Sequence, residues 1–234
     1  MFSSPFYAMR HGETSWNAKG FFQGHSDIPL AETGVRQVEE NGRRFKAHLE
    51  TVGISPSAIA IISSPLSRAI QSSRIMCAEL GIPESRLATD PRLKEASFGR
   101  WEGLTTFEVK ERFREERRLR KEDRWNFAPS GGQSYADISS AMGDFLQQFQ
   151  QRCAAVLCPE LRENNEIEHF RDPGENGNAP DGMSSNHPVL IVTHTGNIRV
   201  ALAMLQGLER EMAMAARVPQ DRLLYWDGKV AGWI

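Results

Sequence analysis

The sequence predicts an α/β fold with three layers (α/β/α), in which a mainly parallel sheet lies between two layers of helices. Three observations lead to this prediction. Short apolar runs alternate with amphipathic stretches along the chain. The best-defined apolar runs lead directly into helical patterns, and such connections are right-handed crossovers between parallel strands. Crossovers of that kind place helices on both faces of the sheet.

Hydrophobic periodicity and breaker residues place the individual elements. Apolar runs bounded by turn residues indicate strands, and apolar residues three or four apart indicate helices. Thr33 can cap the first long helix, and Gly81 ends the second. The elements expected in chain order are a strand at 6–9, a helix at 33–51, a strand at 59–62, a helix at 67–80, a non-helical stretch at about 91–103, helices at about 105–124 and 135–157, a strand at 189–193 and a helix at 196–205.

A single domain is expected over residues 1–234. It carries a helical insertion at about 104–157 and a flexible loop at about 162–187. The loop segment is rich in Asn, Gly, Pro and acidic residues and has no periodicity, so it is either a lid or a mobile surface loop. Residues 212–218 and 222–226 can add one hairpin-like pair at the end of the chain.

Composition excludes several classes of partner. The formal net charge of -2 and the sequence pI near 6.3 give no overall basic field for nucleic acid or an anionic membrane. No stretch approaches the roughly 18 apolar residues of a membrane span, and residues 1–13 lack the pattern of a secretory signal. We therefore expect a soluble, cytoplasmic protein whose anion site is local, and we leave a homodimer open.

The cysteines give no sign of a disulfide framework or a zinc site. Cys77, Cys153 and Cys158 are too few and too irregularly spaced for paired bridges, and the last two lack a second ligand cluster. We expect three reduced thiols, no metal and no cofactor.

Polar side chains follow each of the three best-defined strands. Arg10 and His11 follow the first strand, residues 63–68 the second, and His194 the last. In open α/β sheets ligands bind beyond the carboxyl ends of the strands, so we expect these clusters to converge. Arginine binds phosphate oxygens through two N–H groups at once. The sequence therefore predicts an anion pocket at this edge of the sheet.

A histidine in such a pocket can react as well as bind. A neutral imidazole is a nucleophile at neutral pH, so a phosphoryl group can move to its nitrogen. Arg10, Arg68 and a protonated His194 can neutralise the charge of the transferring group, so that no metal is required. The leaving alkoxide needs a proton from a carboxylic acid, and on chemistry alone several acids qualify.

Five sequence blocks, taken together, resemble a known family. They are RHGET at 10–14 with Trp16 and Asn17 after it, QGHSDIPL at 23–30, SSPLSRAIQSS at 63–73, EASFGRWEG at 95–103 and THTGNIR at 193–199. A single RHG tripeptide recurs by chance, but five blocks in order are specific. The chain resembles the histidine phosphatase superfamily, also called phosphoglycerate mutase-like, and the resemblance implies that fold.

The resemblance implies roles for five residues. His11 is similar to the family's phosphorylated nucleophile, and Glu95 to its proton donor. Arg10 and Arg68 are similar to the phosphate clamp, and His194 to the second pocket histidine. Two other acids compete with Glu95. Near Trp101, Glu102 has an equally good structural role, and Glu13 can orient an arginine.

The resemblance also implies five substrate-binding candidates, Asn17, Thr14, Gln23, Gly24 and Thr195. Several have a simpler explanation. Gln23 and Gly24 can form a turn, Thr14 can cap a short helix, and Asn17 can satisfy a loop carbonyl. The charge run at 111–124 likewise reads as a solvated helix or as a positive rim that attracts phosphorylated substrate. His25 can touch substrate from its turn.

The block around Glu95 separates two reactions of the family. Family mutases typically read ERHYGxLxGLNK there, and the extra cationic and polar groups help to hold a bisphosphorylated intermediate. This chain reads EASFGRWEGLT, with Ala96 and Ser97 in place of basic residues, which resembles the phosphatase branch. It departs from the common phosphatase pattern at Phe21, where an arginine is frequent, and at Gln133, where glutamate is usual. These departures leave the substrate open.

We therefore expect a metal-independent phosphatase that hydrolyses a phosphorylated small molecule through a phosphohistidine. A cofactor-dependent phosphoglycerate mutase and a non-catalytic phospholigand-binding protein are the alternatives. The presence of all five catalytic candidates argues against the binding protein. Sugar phosphates, phosphoglycolate-like acids, α-ribazole phosphate and phosphoproteins all stay open as substrates.

Overall fold

The computed structural model describes residues 3–157 and 188–234. Within these residues six strands form one sheet. The strands are β1 (Phe6–Arg10), β2 (Ala60–Ser63), β3 (Leu87–Thr89), β4 (Val189–Thr193), β5 (Leu223–Trp226) and β6 (Ala231–Trp233). Their order across the sheet is β3-β2-β4-β1-β5-β6. The pairs β3–β2, β2–β4 and β4–β1 are parallel, whereas β1–β5 and β5–β6 are antiparallel.

Helices cover both faces of this sheet. They are α1 (Ser15–Lys19), α2 (Glu32–Thr51), α3 (Ser67–Leu80), α4 (Thr106–Arg112), α5 (Arg114–Glu122), α6 (Tyr135–Leu157), α7 (Thr195–Gln206) and α8 (Arg210–Ala215). One buried core joins α2 and α3 to the sheet, and a second core joins α6, α7 and α8 to it. The three-layer α/β fold expected from the sequence is therefore confirmed.

Strand β1 shows how the sequence builds the two cores. Successive side chains of a strand point to opposite faces of its sheet. Phe6 and Ala8 accordingly belong to the core under α6 to α8, while Tyr7 and Met9 belong to the core under α2 and α3. Because helices cover both faces, positions 6–9 are all apolar and this part of the strand reads as a continuous run.

Two helix predictions need correction. Thr33 does not cap α2. The cap is Ala31, which makes no side-chain cap bond, and the Thr33 hydroxyl donates instead to Glu13 Oε2 at 2.8 Å. The single helix expected at 105–124 is broken at Phe113, whose backbone leaves the helical region with φ -130 and ψ 53. The Arg100 guanidinium lies 4.4 Å from the centroid of the Phe113 ring, so packing against this side chain accompanies the break.

The expected terminal hairpin is displaced along the chain. The segment at 212–218 is not a strand, since α8 occupies most of it and packs Ala213 and Met214 into a core. Strand β5 pairs with the following β6. Asp227 makes this turn by accepting hydrogen bonds from the backbone N–H groups of Lys229 and Val230, both at 2.7 Å, and Gly228 supplies the left-handed φ of 97°.

Some sequence predictions concern residues outside those described. The loop at 162–187 is one, and the side chains of Cys153 and Cys158 are others. Cys77 is a buried free thiol, and burial raises its pKa to about 11. In the described part of the chain, no helix combines the length and apolar character needed to cross a membrane.

Candidate active site

The parallel register brings the carboxyl ends of the central strands to one edge of the sheet. Arg10 lies beside Thr193 in the β1–β4 pair. The residues that follow these two, His11 and His194, therefore emerge together, and their ring centroids are 5.1 Å apart. Ser64 follows the neighbouring strand β2 and touches the second ring. The strand ends identified in the sequence thus converge on one site.

His11 is buried, and one hydrogen bond fixes its ring. Its Nδ1 lies 2.7 Å from the carbonyl oxygen of Gly12. Because a carbonyl can only accept, Nδ1 carries the proton and Nε2 keeps a lone pair. Burial, and then the charges of Arg68 and Arg10, lower the pKa of His11 well below its ordinary value. The ring is therefore neutral and nucleophilic at neutral pH.

His194 has no exposed surface, and its ring contacts the hydroxyl of Ser64. Nε2 lies 2.8 Å from Ser64 Oγ, which accepts the backbone N–H of Leu66 at 3.3 Å. The Ser64 hydroxyl can then donate a hydrogen bond to Nε2. In that arrangement Nε2 is the acceptor, so the proton of the neutral ring is on Nδ1. That Nδ1 is buried and has no hydrogen-bond partner among the described residues. Its N–H is therefore available to a bound ligand.

The charge of His194 differs from the expectation. Burial, followed by the influence of His11, Arg68 and Arg10, lowers the pKa of His194 well below its ordinary value. The ring is therefore neutral at neutral pH, whereas the sequence led us to expect a protonated one. Burial is the main reason for the difference, and the nearby charges of Arg68 and Arg10 add to it, since both effects disfavour the imidazolium form.

Two arginines reach the site with unsatisfied donors. On α3, Arg68 is 1% exposed, and its terminal nitrogens donate to the carbonyls of Ser26 at 2.9 Å and Gly24 at 2.7 Å. Arg10 donates through one terminal nitrogen to the Val218 carbonyl at 3.3 Å. The Nε atoms of both arginines are buried without a partner among the described residues. Such pre-positioned N–H donors suit an anion.

Glu95 is held by backbone groups. Its carboxylate oxygens accept the N–H groups of Ala96 at 3.1 Å and Gly196 at 3.2 Å. A Cβ at position 196 would collide with Oε1 of Glu95, so glycine at the start of α7 permits this approach. His25 Nε2 also donates to the Glu95 carbonyl at 2.9 Å. His25 thus touches the backbone of the acid, a contact that the sequence did not indicate.

Glu102 is a structural carboxylate. It accepts five hydrogen bonds, from the backbone N–H groups of His25, Ser26 and Phe98 and from the hydroxyls of Ser26 and Ser97. Burial alone would raise the pKa of Glu102, but these hydrogen bonds to the charged form lower it below its ordinary value. Glu102 therefore stays ionised and joins the 23–26 loop to the segment after Glu95.

Four of the five expected substrate-binding residues line a single cavity, namely Asn17, Gln23, Gly24 and Thr195. Thr14 does not. It is fully buried, and its hydroxyl accepts the backbone N–H of Asn17 and donates to Asn17 Oδ1, both at 3.1 Å, in a capping box that begins α1. Thr14 therefore orients Asn17, whose amide N–H groups are left for the cavity.

The cavity has a volume of about 130 Å³. Arg10, His11, Arg68 and Glu95 line it together with the four residues above. Its remaining lining is aromatic and consists of Phe21, Phe22 and Phe98. The positively charged side chains lie around the imidazole nucleophile, so the cavity can bind a phosphate group against His11. The described residues contain no cluster of three His, Cys, Asp or Glu side chains suited to a metal.

Sequence reasoning missed four contributors to this site, namely Ser64, Gln220, Phe22 and Phe98. Ser64 lies inside a recognised block, but nothing in the sequence assigned it to His194. Gln220 donates to the His11 carbonyl at 3.0 Å and accepts at its own carbonyl from Asn41 at 2.7 Å. Its tail segment carries no motif. Phe98 lies between Glu95 and Glu102, and only the folded loop places its ring at the cavity.

Curated relatives match part of the chain. A 2,3-bisphosphoglycerate-dependent phosphoglycerate mutase from Bradyrhizobium sp. is 30% identical over 141 residues, which cover 60% of this chain and 65% of that protein. A probable phosphoglycerate mutase, GpmB, from Yersinia pestis is 42% identical over 94 residues, which cover 40% of this chain and 38% of that protein. The chain therefore spans less than two thirds of the length of either relative.

Solved structures match nearly the whole fold. The α-ribazole phosphatase of Shigella flexneri superposes with a TM-score of 0.68 at 21% identity, covering 95% of this chain and 89% of that one. A mycobacterial glucosyl-3-phosphoglycerate phosphatase gives a TM-score of 0.67 at 22% identity, covering 99% and 97%. At these identities the likeness establishes a phosphoglycerate mutase-like fold.

A family model gives the most direct assignment. The model described as the histidine phosphatase superfamily (branch 1) matches residues 6–158, which is more than half of the 234-residue chain. The matched segment includes Arg10, His11, Arg68 and Glu95. The structure brings these four residues together with His194, which follows β4. The chain belongs to the histidine phosphatase superfamily.

Proposed function

We propose that this protein is a phosphatase that hydrolyses a phosphate monoester through a phosphohistidine at His11. One observation carries the proposal. The bond from Nδ1 of His11 to the Gly12 carbonyl directs the lone pair onto Nε2 in a cavity that Arg10 and Arg68 also line. A neutral nucleophile among fixed cationic donors is the arrangement that phosphoryl transfer requires.

In the first step, Nε2 of His11 attacks phosphorus and the bond from phosphorus to the ester oxygen breaks. The proton stays on Nδ1, which donates it in a hydrogen bond to the Gly12 carbonyl, and this bond stabilises the phosphorylated ring. Arg10 and Arg68 donate N–H groups to the equatorial oxygens as charge develops there. Nδ1 of His194, which has no partner in the protein, supplies a further neutral donor.

The leaving alkoxide takes its proton from Glu95. Bound phosphate places negative charge beside this carboxyl, which favours its protonated form. In the second step water attacks phosphorus, Glu95 takes one proton from that water, and the bond from phosphorus to Nε2 breaks. Inorganic phosphate leaves, and His11 returns to its neutral form. One acid therefore serves both steps in opposite directions.

The surroundings of Glu95 favour water over a second phosphorylated molecule as acceptor. Ala96 is buried, and Ser97 donates its hydroxyl to Glu102, so neither position offers a cation. Among the described lining residues, Arg10 and Arg68 are the cationic side chains, and one transferring phosphate uses both. A bisphosphorylated intermediate would need more positive charge than this cavity provides.

The runner-up function is a phosphoglycerate mutase, which the names of the curated relatives support. The purified protein should be incubated with 3-phosphoglycerate and a catalytic amount of 2,3-bisphosphoglycerate, with inorganic phosphate and 2-phosphoglycerate measured in the same reaction. We expect phosphate release to exceed interconversion. Interconversion faster than release would make the protein a mutase, and neither activity on a panel of monoesters would favour a binding protein.

A further inference from the structure

The outer part of the cavity is aromatic. Phe21, Phe22 and Phe98 are all half-buried, and each lines the same cavity as His11 and Glu95. The Phe22 and Phe98 rings lie 5.0 Å apart between centroids and are tilted by 59°. Aromatic rings that stay partly exposed at a binding cavity offer their surface to a ligand. In this cavity the ligand is the part of the substrate that leaves with the ester oxygen.

A cation lies against these rings but does not line the cavity. The Arg120 guanidinium is 5.7 Å from the centroid of Phe22, 5.9 Å from Phe98 and 5.6 Å from Trp101. Arg120 makes no ion pair with any described residue, although most other arginines of the 111–124 run do. Its side chain is hydrogen-bonded to Tyr135, and its guanidinium lies against the ring faces of Phe22 and Phe98, which helps to fix those rings in position.

The charge around the leaving group argues against an anion there. Arg10 and Arg68 are committed to the transferring phosphate, and Glu95 is the remaining charged side chain among the described lining residues. A carboxylate on the leaving group would face Glu95 and three phenyl rings without a cation of its own. Desolvating an unpaired carboxylate is costly, whereas an uncharged ring gains from the same surface.

We propose, on the basis of the proposed function, that the preferred substrate is a phosphate monoester whose leaving group carries an uncharged planar ring packed on Phe22 and Phe98. Arg120 acts as a positioning residue for those two rings. The glycerate and sugar acid monoesters that lack a ring and carry a carboxylate are then poor substrates.

The test compares benzyl phosphate with glycerol 1-phosphate and 3-phosphoglycerate. All three have alkyl leaving groups, so the acidity of the leaving group does not explain a difference. We expect kcat/KM for benzyl phosphate to exceed that of either competitor by about tenfold or more. Benzylphosphonate should also inhibit about tenfold more strongly than methylphosphonate, a binding measurement that does not depend on turnover.

Three variants locate the preference. Phe22→Leu and Phe98→Leu should each reduce the ratio of kcat/KM for benzyl phosphate over glycerol 1-phosphate by about fivefold. Phe127→Leu is the matched control. The Phe127 ring is half-buried, its centroid lies 5.7 Å from that of Trp101, and it does not line the cavity. Its ratio should not change. Thermal unfolding of each variant shows whether it folds, and the phosphonate measurement on the unaltered protein stands if one does not.

Arg120→Met tests whether Arg120 positions the rings or binds an anion. If Arg120 positions the rings, the variant loses preference for benzyl phosphate. If the variant instead loses 3-phosphoglycerate turnover alone, Arg120 binds an anion and the proposal is wrong. A preference of the unaltered protein for 3-phosphoglycerate over benzyl phosphate would also overturn it while leaving the phosphatase proposal intact. Absence of phosphate release from all three esters would count against the phosphatase proposal itself.

Discussion

The two ends of the cavity are built in different ways. At the phosphate end, Arg10 is the last residue of β1, His11 and His194 directly follow β1 and β4, and Arg68 lies in the first turn of α3. All except Arg10 are buried, and their rings and guanidinium groups are fixed by hydrogen bonds to backbone or serine. At the leaving-group end, the walls are loop residues with half-exposed rings.

The difference shows how one fold can keep a reaction and change its substrate. Groups at the ends of central strands cannot shift without moving the sheet, so phosphate chemistry is tied to the core. On the 21–22 and 98 loops, the Phe22 and Phe98 rings contact each other and Arg120, Phe22 also contacts Trp101, and Phe21 contacts Trp16. Loops can change while the elements that carry them stay in place. Substitutions at the two ends should therefore have different signatures.

The largest effect is expected at the nucleophile. His11→Ala removes the atom that forms the covalent bond, and we expect kcat to fall by about 10⁴-fold or more for every monoester. His48→Gln is the control, because His48 contacts Tyr7 at 3.2 Å and does not line the cavity. Phosphate release by both variants checks the prediction. A loss below about tenfold in His11→Ala would remove His11 from the reaction.

The next largest effect is expected at Glu95, which supplies the proton to the leaving group. Glu95→Gln cannot deliver a proton, so hydrolysis of benzyl phosphate should slow by about 10³-fold. p-Nitrophenyl phosphate hardly needs that proton, so its single-turnover phosphorylation should slow by less than about tenfold. Rapid-quench kinetics with both esters measures the contrast. Equal losses for the two would move the acid role to another residue.

At the phosphate end, Arg68→Lys keeps the positive charge and removes the planar guanidinium group with its several N–H donors. In Arg68, two separate terminal nitrogens bond the carbonyls of Ser26 and Gly24, whereas lysine carries all its N–H donors on one nitrogen and cannot reproduce that geometry while aiming an N–H at phosphate. We expect kcat to fall by about 10²-fold, equally for benzyl phosphate and glycerol 1-phosphate. Arg74→Lys on the same helix is exposed and pairs with Glu84, so it serves as the control. A loss that depends on the leaving group would contradict the separation of the two ends.

A smaller effect should follow from the tautomer of His194. In Ser64→Ala the Nε2 atom loses its partner, and the proton is no longer held on Nδ1. We expect kcat to fall by about tenfold with KM for substrate changed less than about threefold. Ser73→Ala is the control, since Ser73 is equally buried and its hydroxyl donates to the Ala69 carbonyl, away from the site. Unchanged kcat in Ser64→Ala would show that this hydroxyl is structural.

The smallest effect concerns stability and pH. His11 and His194 have folded-state pKa values well below the ordinary 6.5. Below about pH 6.5 the unfolded chain binds protons that the folded protein does not, so stability is full above that pH. It is lost as pH falls from 6.5 toward the lowered pKa values, by about 1.4 kcal/mol per pH unit for each histidine. Urea unfolding at pH 7.5, 6.5 and 5.5 measures this slope.

A partial control separates the two histidines. His11→Gln removes one of them, so the slope below pH 6.5 should fall by about 1.4 kcal/mol per pH unit. If the free energy of unfolding were the same at pH 5.5 and 7.5, the depressed pKa values of both rings would be wrong.

Sequence patterns predicted the phosphate end well because local signals define it. The helices Ser67–Leu80 and Tyr135–Leu157 and the strand Val189–Thr193 have the bounds expected from periodicity and turn residues. The strand-end rule then grouped Arg10, His11 and His194. Where a short element depends on its neighbours, as in Leu87–Thr89 at the sheet edge, three residues carry too little pattern to identify a strand.

The leaving-group end was less accessible to sequence reasoning. Its contacts join residues far apart in the chain, and no periodicity encodes them. Arg120 sits in a charge run that reads as a solvated helix, yet its guanidinium packs on Phe22 and Phe98. Thr14 matched a family block but caps a helix. Tertiary packing decided each of these cases.

The covalent intermediate tests the central claim most directly. Labelled benzyl phosphate should be mixed with the enzyme, quenched in base within milliseconds, and the protein digested and mapped. We predict a phosphoenzyme that is labile in acid and stable in base, lies on His11 at Nε2 and is missing from His11→Ala. Phosphate on Nδ1, phosphate on another residue, or turnover without a trapped phosphoenzyme in both the unaltered protein and Glu95→Gln would contradict the account.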